Sequence, residues 1–138
     1  MPGTSKRLLI VEDQELVAMT IASIVRRLNY ELVGSAATAD RALELVESYQ
    51  PDVVLMDLQL RGGRDGVETA RAIQARCAAR IVFLTALGDM ESIARMRSVS
   101  PVGIVLKPFR RSELFRHLML AAANQAPASE PFTRAIAG

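Results

Sequence analysis

The sequence has little of the material that covalent cross-links and membrane spans require. It contains one cysteine, Cys77, no tryptophan, and aromatic residues at only 4% of its 138 positions. One cysteine forms neither an internal disulfide nor a cysteine-based zinc site, which excludes disulfide-rich secreted folds and favours a reducing compartment. No apolar run approaches the roughly 20 residues of a membrane helix, and the amino terminus lacks a signal-peptide pattern. We therefore expect a cytoplasmic protein that does not bind membranes.

Positive and negative charges are nearly balanced. The 17 basic and 15 acidic residues give a formal net charge of +2, and the basic side chains are scattered singly or in pairs. Proteins that bind nucleic acid usually concentrate basic residues on one face, so direct DNA binding is not indicated. The length suits one compact domain, which we assign to residues 5–123. Residues 124–138 are rich in alanine, contain Pro127 and Pro131, and are expected to be disordered.

Short apolar runs alternate with helical patterns along the chain. The runs are too short for helices and predict five strands, at residues 8–11, 31–34, 53–56, 81–84 and 102–106. Apolar residues spaced three and four apart predict five helices, at residues 14–29, around 39–46, 65–77, 90–99 and around 114–122. The strand cores are apolar at almost every position, which is typical of a parallel sheet covered on both faces. The predicted fold is therefore a doubly wound α/β fold with a five-stranded parallel sheet.

Polar residues directly follow four of the predicted strands. They are Glu12 and Asp13, Asp57, Thr85 and Lys107. The carboxyl ends of parallel strands meet at one edge of an open sheet, where ligands bind, so these side chains should converge. Three neighbouring carboxylates repel each other and call for a cation. Mg²⁺ suits such oxygen ligands, and Mn²⁺ is an alternative ion.

One carboxylate of this set remains available as a nucleophile. If Glu12 and Asp13 hold the metal, Asp57 is the better candidate, because it stands alone after the third strand. Carboxylates form acyl-phosphate intermediates, and phosphoryl transfer requires mainly positioning and charge neutralisation. Thr85 and Lys107 are placed to contact the phosphoryl oxygens. The pattern therefore indicates phosphoryl transfer to Asp57.

The order and spacing of these residues resemble the receiver domain of bacterial two-component response regulators, in its single-domain, chemotaxis-regulator-like form. The resemblance covers about residues 5–123 and implies a flavodoxin-like sheet with strand order 2-1-3-4-5. It implies that Asp57 accepts a phosphoryl group from a histidine kinase or a phosphotransfer protein. It also implies that Glu12, Asp13, Asp57 and the main-chain carbonyl of Gln59 bind Mg²⁺. Such a domain is a signalling switch and not an enzyme.

The same resemblance extends to the last two strands. It assigns Thr85 as the switch hydroxyl, matches Lys107-Pro108-Phe109 to the lysine-proline motif of the family, and implies a cis peptide bond before Pro108. One position departs from the family pattern, because Ile104 stands where tyrosine or phenylalanine is usual. The aromatic switch of the family is therefore not expected in this chain.

A partner surface is also implied by the resemblance, around the fourth and fifth predicted helices. Arginines flank these helices at Arg95, Arg97, Arg110, Arg111 and Arg116. Such residues ordinarily form a solvated face. In the family this region docks a downstream protein target or, through helix 4, strand 5 and helix 5, a second copy of the chain.

Each of these residues also has an ordinary structural interpretation. Asp13 suits a helix N-cap, Asp57 a turn cap and Thr85 a strand interior. Cys77 is interpreted as a packing residue, and His117 as a surface or edge residue that carries no phosphate. The joint occurrence of polar residues at four strand ends favours the functional interpretation.

Three other functions stay open. A phosphatase of the haloacid dehalogenase type uses an aspartyl nucleophile, but its nucleophile follows the first strand and a second aspartate stands two residues later, where this chain has Gln59. A nucleotide-binding module would have glycines after the first strand, whereas residues 12–15 would repel phosphate. A degenerate receiver would bind partners without phosphorylation. Ile104 favours this last alternative, and the intact acidic site argues against it.

Overall fold

The structure is a computed structural model and describes residues 6–123. The strands are β1 (Lys6–Val11), β2 (Tyr30–Ala36), β3 (Val53–Met56), β4 (Arg80–Thr85) and β5 (Gly103–Leu106). The helices are α1 (Glu15–Val25), α2 (Ala39–Tyr49), α3 (Gly66–Gln74), α4 (Met90–Arg97) and α5 (Arg111–Ala122). None of these helices is long and apolar enough to cross a membrane. The tail predicted to be disordered, residues 124–138, lies outside the described residues.

The strands form one parallel sheet in the order β2-β1-β3-β4-β5. This confirms the predicted doubly wound, flavodoxin-like fold. β1 and β3 are neighbours inside the sheet, and their register pairs Val11 with Met56. The residues that follow them, Glu12 and Asp57, therefore leave the sheet at the same level of its carboxyl edge.

Alternation along the strands divides the core into two layers. Leu8 and Ile10 of β1 face the layer under α1 and α5, whereas Leu9 and Val11 face the layer under α2, α3 and α4. The cores of β1, β3, β4 and β5 are thus buried on both sides, which explains why their sequences are apolar at successive positions, whereas the edge strand β2 is only partly buried. The helices cover both faces and leave the carboxyl edge of the sheet to polar side chains.

The first helix is shorter than its apolar pattern predicted. The predicted helix covered residues 14–29, but α1 ends at Val25. The main-chain N–H groups of Arg27 and Leu28 then donate to carbonyls three residues earlier, at 3.1 and 2.9 Å. This tighter turn keeps Leu28 packed against the α1 and α5 layer. The spacing of apolar residues therefore does not distinguish the turn from a continuing helix.

The third helix begins where predicted and ends early. Asp65 is its N-cap, and one carboxylate oxygen of Asp65 accepts a hydrogen bond from the N–H of Val67 at 2.6 Å. The other oxygen binds the guanidinium of Arg95 in α4. The helix ends at Gln74, so Cys77, predicted to close it, lies in the following turn and packs half-buried against the core. One carboxylate thus connects α3 to α4.

His117 is buried, and the prediction that it lies at the surface or an edge is wrong. Its side chain is only 2% exposed. The ring packs against Gly103 of β5, where a Cβ atom would lie 2.2 Å from ring carbon Cδ2. Nδ1 lies 2.8 Å from the main-chain oxygen of Glu113. The missing side chain at Gly103 creates the space that the ring fills.

The burial of His117 should make stability depend on pH. Burial lowers the pKa of His117, and the charge of Arg116 acts in the same direction. The unfolded chain then binds a proton more readily than the native protein, so the free energy of unfolding should fall as pH drops from about 7 to about 5. Chemical denaturation followed by circular dichroism measures this change.

The control variant is His117→Gln, which removes the only histidine of the sequence. Its free energy of unfolding should fall less over the same pH interval, because the group that gains a proton on unfolding is gone. Equal pH dependence of the wild type and His117→Gln would contradict the argument.

Candidate functional site

The residues that follow β1 and β3 form an acidic pocket at the carboxyl edge of the sheet. One carboxylate oxygen from each of Glu12, Asp13 and Asp57 lies within 4.8 Å of the others. Glu12 and Asp57 are buried, at 4% and 8% exposed, and Asp13 is half-buried. The sequence predicted that these carboxylates would lie close together because they directly follow strands of a parallel sheet, and the structure confirms it. Oxygen atoms grouped in this way suit a divalent cation.

Lys107 reaches the acidic pocket from the end of β5. Its Nζ lies 2.8 Å from Oε1 of Glu12 and 3.2 Å from Oδ2 of Asp57. The main-chain N–H of Lys107 donates to the oxygen of Thr85 at 2.8 Å, which ties the end of β5 to the end of β4. The ammonium therefore offsets part of the negative charge that the three carboxylates bring together.

Burial and charge act in opposite directions on these ionisable groups. Burial raises the pKa of Glu12, and the hydrogen bond from Lys107 offsets this only in part. Burial acts to lower the pKa of Lys107, but the hydrogen bond with Glu12 and the charge of Asp57 outweigh it, so the pKa of Lys107 is raised. Lys107 is therefore a cation at neutral pH, and the charged form of Glu12 depends on it.

Main-chain hydrogen bonds hold the acidic residues in place. The N–H of Glu12 donates to the end of β2 at 2.8 Å, and the N–H of Asp57 donates to the end of β1 at 3.0 Å. The second carboxylate oxygen of Glu12 accepts from the N–H of Gln14 at 3.1 Å. Gln14 is also the N-cap residue of α1, so the capping interpretation of Asp13 is wrong.

Gln59 contacts Asp57, and Thr85 contacts Lys107, in each case through the main chain. Thr85 is 1% exposed, and its Oγ1 accepts a hydrogen bond from the N–H of Leu87 at 3.1 Å. Gln59 is exposed, and its main-chain N–H lies 3.4 Å from Oδ1 of Asp57. The hydroxyl of Thr85 is bonded within its own loop, so its assignment as the switch hydroxyl stays a prediction.

Ile104 lies within β5, and the Lys107–Pro108 bond follows that strand. Ile104 is 1% exposed and belongs to the same apolar cluster as Phe83 and Met96. The peptide bond between Lys107 and Pro108, expected to be cis, is cis in the structure. An aliphatic core residue thus occupies the position where the resemblance implies an aromatic one.

Gly66 contacts the main chain of Asp57 and was missed by the sequence analysis. A Cβ atom at Gly66 would lie 2.2 Å from the main-chain oxygen of Asp57 and 2.8 Å from Cα of Leu58. The N–H of Gly66 donates to the oxygen of Leu58 at 2.7 Å. Because only glycine fits so close to another backbone, Gly66 allows α3 to begin against the Asp57 segment.

Arg61 was also missed. It follows Asp57 by four residues, and its Nη2 donates to the main-chain oxygen of Asp13 at 3.0 Å. Every residue carries a main-chain oxygen, so no sequence pattern marks Asp13 as the partner of Arg61.

A family model of the response regulator receiver domain matches residues 8–119, a range that includes the whole acidic pocket. The chain therefore belongs to the response regulator receiver domain family. Within it, the chain is similar to single-domain members of the CheY type. Receiver domains take phosphoryl groups from histidine kinases and act as signalling switches, not as conventional enzymes. Membership of this family argues against the phosphatase and the nucleotide-binding module that the sequence left open.

Three relatives illustrate the similarity. The transcriptional regulatory protein PdtaR of Mycobacterium tuberculosis is 36% identical over 119 residues, which cover 86% of this chain and 58% of PdtaR. The chemotaxis protein CheY of Thermotoga maritima is 27% identical over 115 residues, covering 82% and 94%. The signal receiver domain of a modulated diguanylate cyclase from Desulfovibrio desulfuricans G20 has a TM-score of 0.79 at 33% identity, covering 87% and 95%. The chain thus spans less than two thirds of the length of PdtaR.

Loss of Lys107 should destabilise the metal-free protein. In Lys107→Met, the carboxylates of Glu12 and Asp57 lose their ion pair while buried, so the free energy of unfolding should fall by about 1–3 kcal/mol. Added Mg²⁺ should stabilise this variant more than the wild type, because a cation then replaces the missing ammonium. Urea denaturation with and without Mg²⁺, followed by circular dichroism, measures both effects.

The chain offers a matched control, since its other lysine is Lys6 at the opposite end of the sheet. Lys6→Met should change stability by no more than about 0.5 kcal/mol. An equal loss of stability in both variants would contradict a specific role of the Lys107 ion pairs.

Proposed function

We propose that this chain is the phosphoacceptor receiver of a two-component phosphorelay, and that Asp57 receives the phosphoryl group. The donor is a phosphohistidine on a histidine kinase or on a phosphotransfer protein. The observation that supports the proposal is the acidic pocket. There the carboxylate of Asp57, which follows the interior strand β3, lies beside those of Glu12 and Asp13 and beside the ammonium of Lys107. The receiver unit is proposed to extend over residues 5–123 and to act in the cytoplasm.

Glu12, Asp13, Asp57 and the main-chain carbonyl of Gln59 are the proposed ligands of Mg²⁺, with Mn²⁺ as an alternative. When bound there, the ion would neutralise charge on the carboxylates and on the phosphoryl oxygens. The carboxylates of this donor set fit such an ion, because one oxygen from each of Glu12, Asp13 and Asp57 lies within 4.8 Å of the others. The partial exposure of Asp13 leaves access for the waters that Mg²⁺ retains.

The proposed transfer is a substitution at phosphorus. A carboxylate oxygen of Asp57 forms a bond to phosphorus while the bond from phosphorus to the donor imidazole nitrogen breaks, and the electron pair of that bond stays on the imidazole. Lys107 pairs with the charge of the phosphoryl group, and the hydroxyl of Thr85 donates a hydrogen bond to it. These two groups stabilise the charge that is transferred and hold the acyl phosphate.

The proposed output surface consists of α4, β5 and α5. Exposed arginines border it at Arg95, Arg97, Arg110, Arg111 and Arg116. Such a basic surface fits a downstream protein target that presents carboxylates, and the same face is proposed for a homodimer.

Helix α4 has a single buried residue, Met96. Few core contacts therefore hold this helix, and it is suited to move when the protein is phosphorylated. Ile104 stands where the family usually has an aromatic residue. The conformational change that follows phosphorylation therefore reaches the output surface without rotation of an aromatic ring.

Asp57→Asn should abolish phosphorylation. Incubation with acetyl phosphate and Mg²⁺ should add one phosphoryl group to the wild type and none to the variant, because an amide is not a competent nucleophile. Intact-mass spectrometry measures the labelled fraction. Removal of divalent ions by a chelator should slow wild-type labelling by at least about tenfold.

Asp40→Asn is the matched control, since it removes an exposed carboxylate at the start of α2. It should be labelled like the wild type. Labelling that persists in Asp57→Asn would show that the acceptor is wrong. A wild type that is labelled neither by acetyl phosphate nor by a phosphorylated histidine kinase domain would favour the degenerate receiver instead.

A further inference from the structure

Asp13 is stabilised differently from the other two carboxylate residues of the acidic pocket. Lys107 pairs with the side chains of Glu12 and Asp57. At Asp13, a cation contacts the main chain instead, because the guanidinium of Arg61 donates to the Asp13 oxygen at 3.0 Å. This contact joins the loop between β1 and α1 to the loop between β3 and α3.

The backbone around Arg61 holds that residue in a defined position. The N–H of Gly63 donates to the oxygen of Leu60 at 3.3 Å, and Gly62 has a φ of 89°. These features place Arg61 second in a tight turn whose third residue needs a positive φ, which glycine supplies without strain. The main chain of Arg61 also forms a parallel bridge with Thr38, at the start of α2. Arg61 is therefore anchored through its backbone before its side chain reaches Asp13.

We propose that Arg61 is a positioning residue for the divalent cation. By holding the main chain of Asp13 against the loop that carries Gln59, it fixes how far apart these two proposed ligand residues lie. The inference rests on the proposed function, since it concerns the same metal site. It adds to that site a residue that touches neither the ion nor the phosphoryl group.

Charge and positioning predict opposite effects of removing Arg61. The guanidinium lines a cleft of about 390 Å³ together with Glu12, Asp13 and Glu15. A positive charge there repels a second cation, so a purely electrostatic role predicts that Mg²⁺ binds more tightly after its removal. A positioning role predicts weaker binding, because the loop of Asp13 loses its support. The sign of the change therefore distinguishes the two roles.

The test is calorimetric titration of MgCl₂ into the purified chain. Arg61→Ala should raise the dissociation constant for Mg²⁺ about three- to tenfold, less than the roughly 10- to 100-fold typical of partners that hydrogen-bond a metal ligand's side chain, because Arg61 contacts only the main chain of Asp13. Thermal unfolding of the metal-free variant should match that of the wild type, because Arg61 is exposed. A lower unfolding temperature with an unchanged dissociation constant would instead show that Arg61 stabilises the fold and does not position the metal ligands.

Arg64→Ala is the matched control, because it removes the same charge from the same loop. The guanidinium of Arg64 lies 3.5 Å from the carboxylate of Asp40, and both side chains are exposed. Its removal should leave the dissociation constant unchanged or lower it by at most about twofold.

Two results would overturn the inference, and they differ in what else they affect. If the wild type binds Mg²⁺ and Arg61→Ala binds it equally or more tightly, the positioning role is wrong and the proposed function stands. If the wild type does not bind Mg²⁺ at all, the inference and the proposed metal site fail together.

Discussion

The repulsion among three carboxylates in one pocket is the constraint on which the rest of this structure depends. Glu12, Asp13 and Asp57 meet because β1 and β3 are parallel neighbours that end at the same level. Lys107 comes from β5, two strands away from β3, and its long side chain reaches across the end of β4 to pair with two of them. The order of the strands therefore decides which charges meet and which cation opposes their repulsion.

Contacts made to the main chain help to fix the loops around the acidic pocket. Gly66 lies against the main chain of Asp57, and Arg61 donates to the main-chain oxygen of Asp13. The oxygen of Thr85 accepts the N–H of Lys107. The positions of the carboxylates thus depend on where the backbone runs, and Gly66 and Arg61 both contact that backbone.

The strands and the acidic pocket could be predicted because each depends on a short local pattern. An apolar run such as β3 ends at a polar residue, and a parallel sheet brings such residues together, while the strand order followed from the resemblance to receivers. The remaining features depend on contacts between distant segments. Leu28 keeps helical spacing in a turn that is no longer α-helical, and His117 is buried because Gly103 lies opposite it. Arg61 contacts a main-chain oxygen, which every residue carries, so no complementary residue type marks its partner.

Asp65 serves two helices with one side chain, since one oxygen caps α3 and the other binds Arg95 of α4. A substitution at Asp65 removes both interactions at once, whereas a double-mutant cycle with Arg95 measures the ion pair separately from the cap. The two side chains are therefore not equivalent. Loss of Arg95 leaves the cap of α3 in place, whereas loss of Asp65 removes the cap and also leaves Arg95 without its partner on α3.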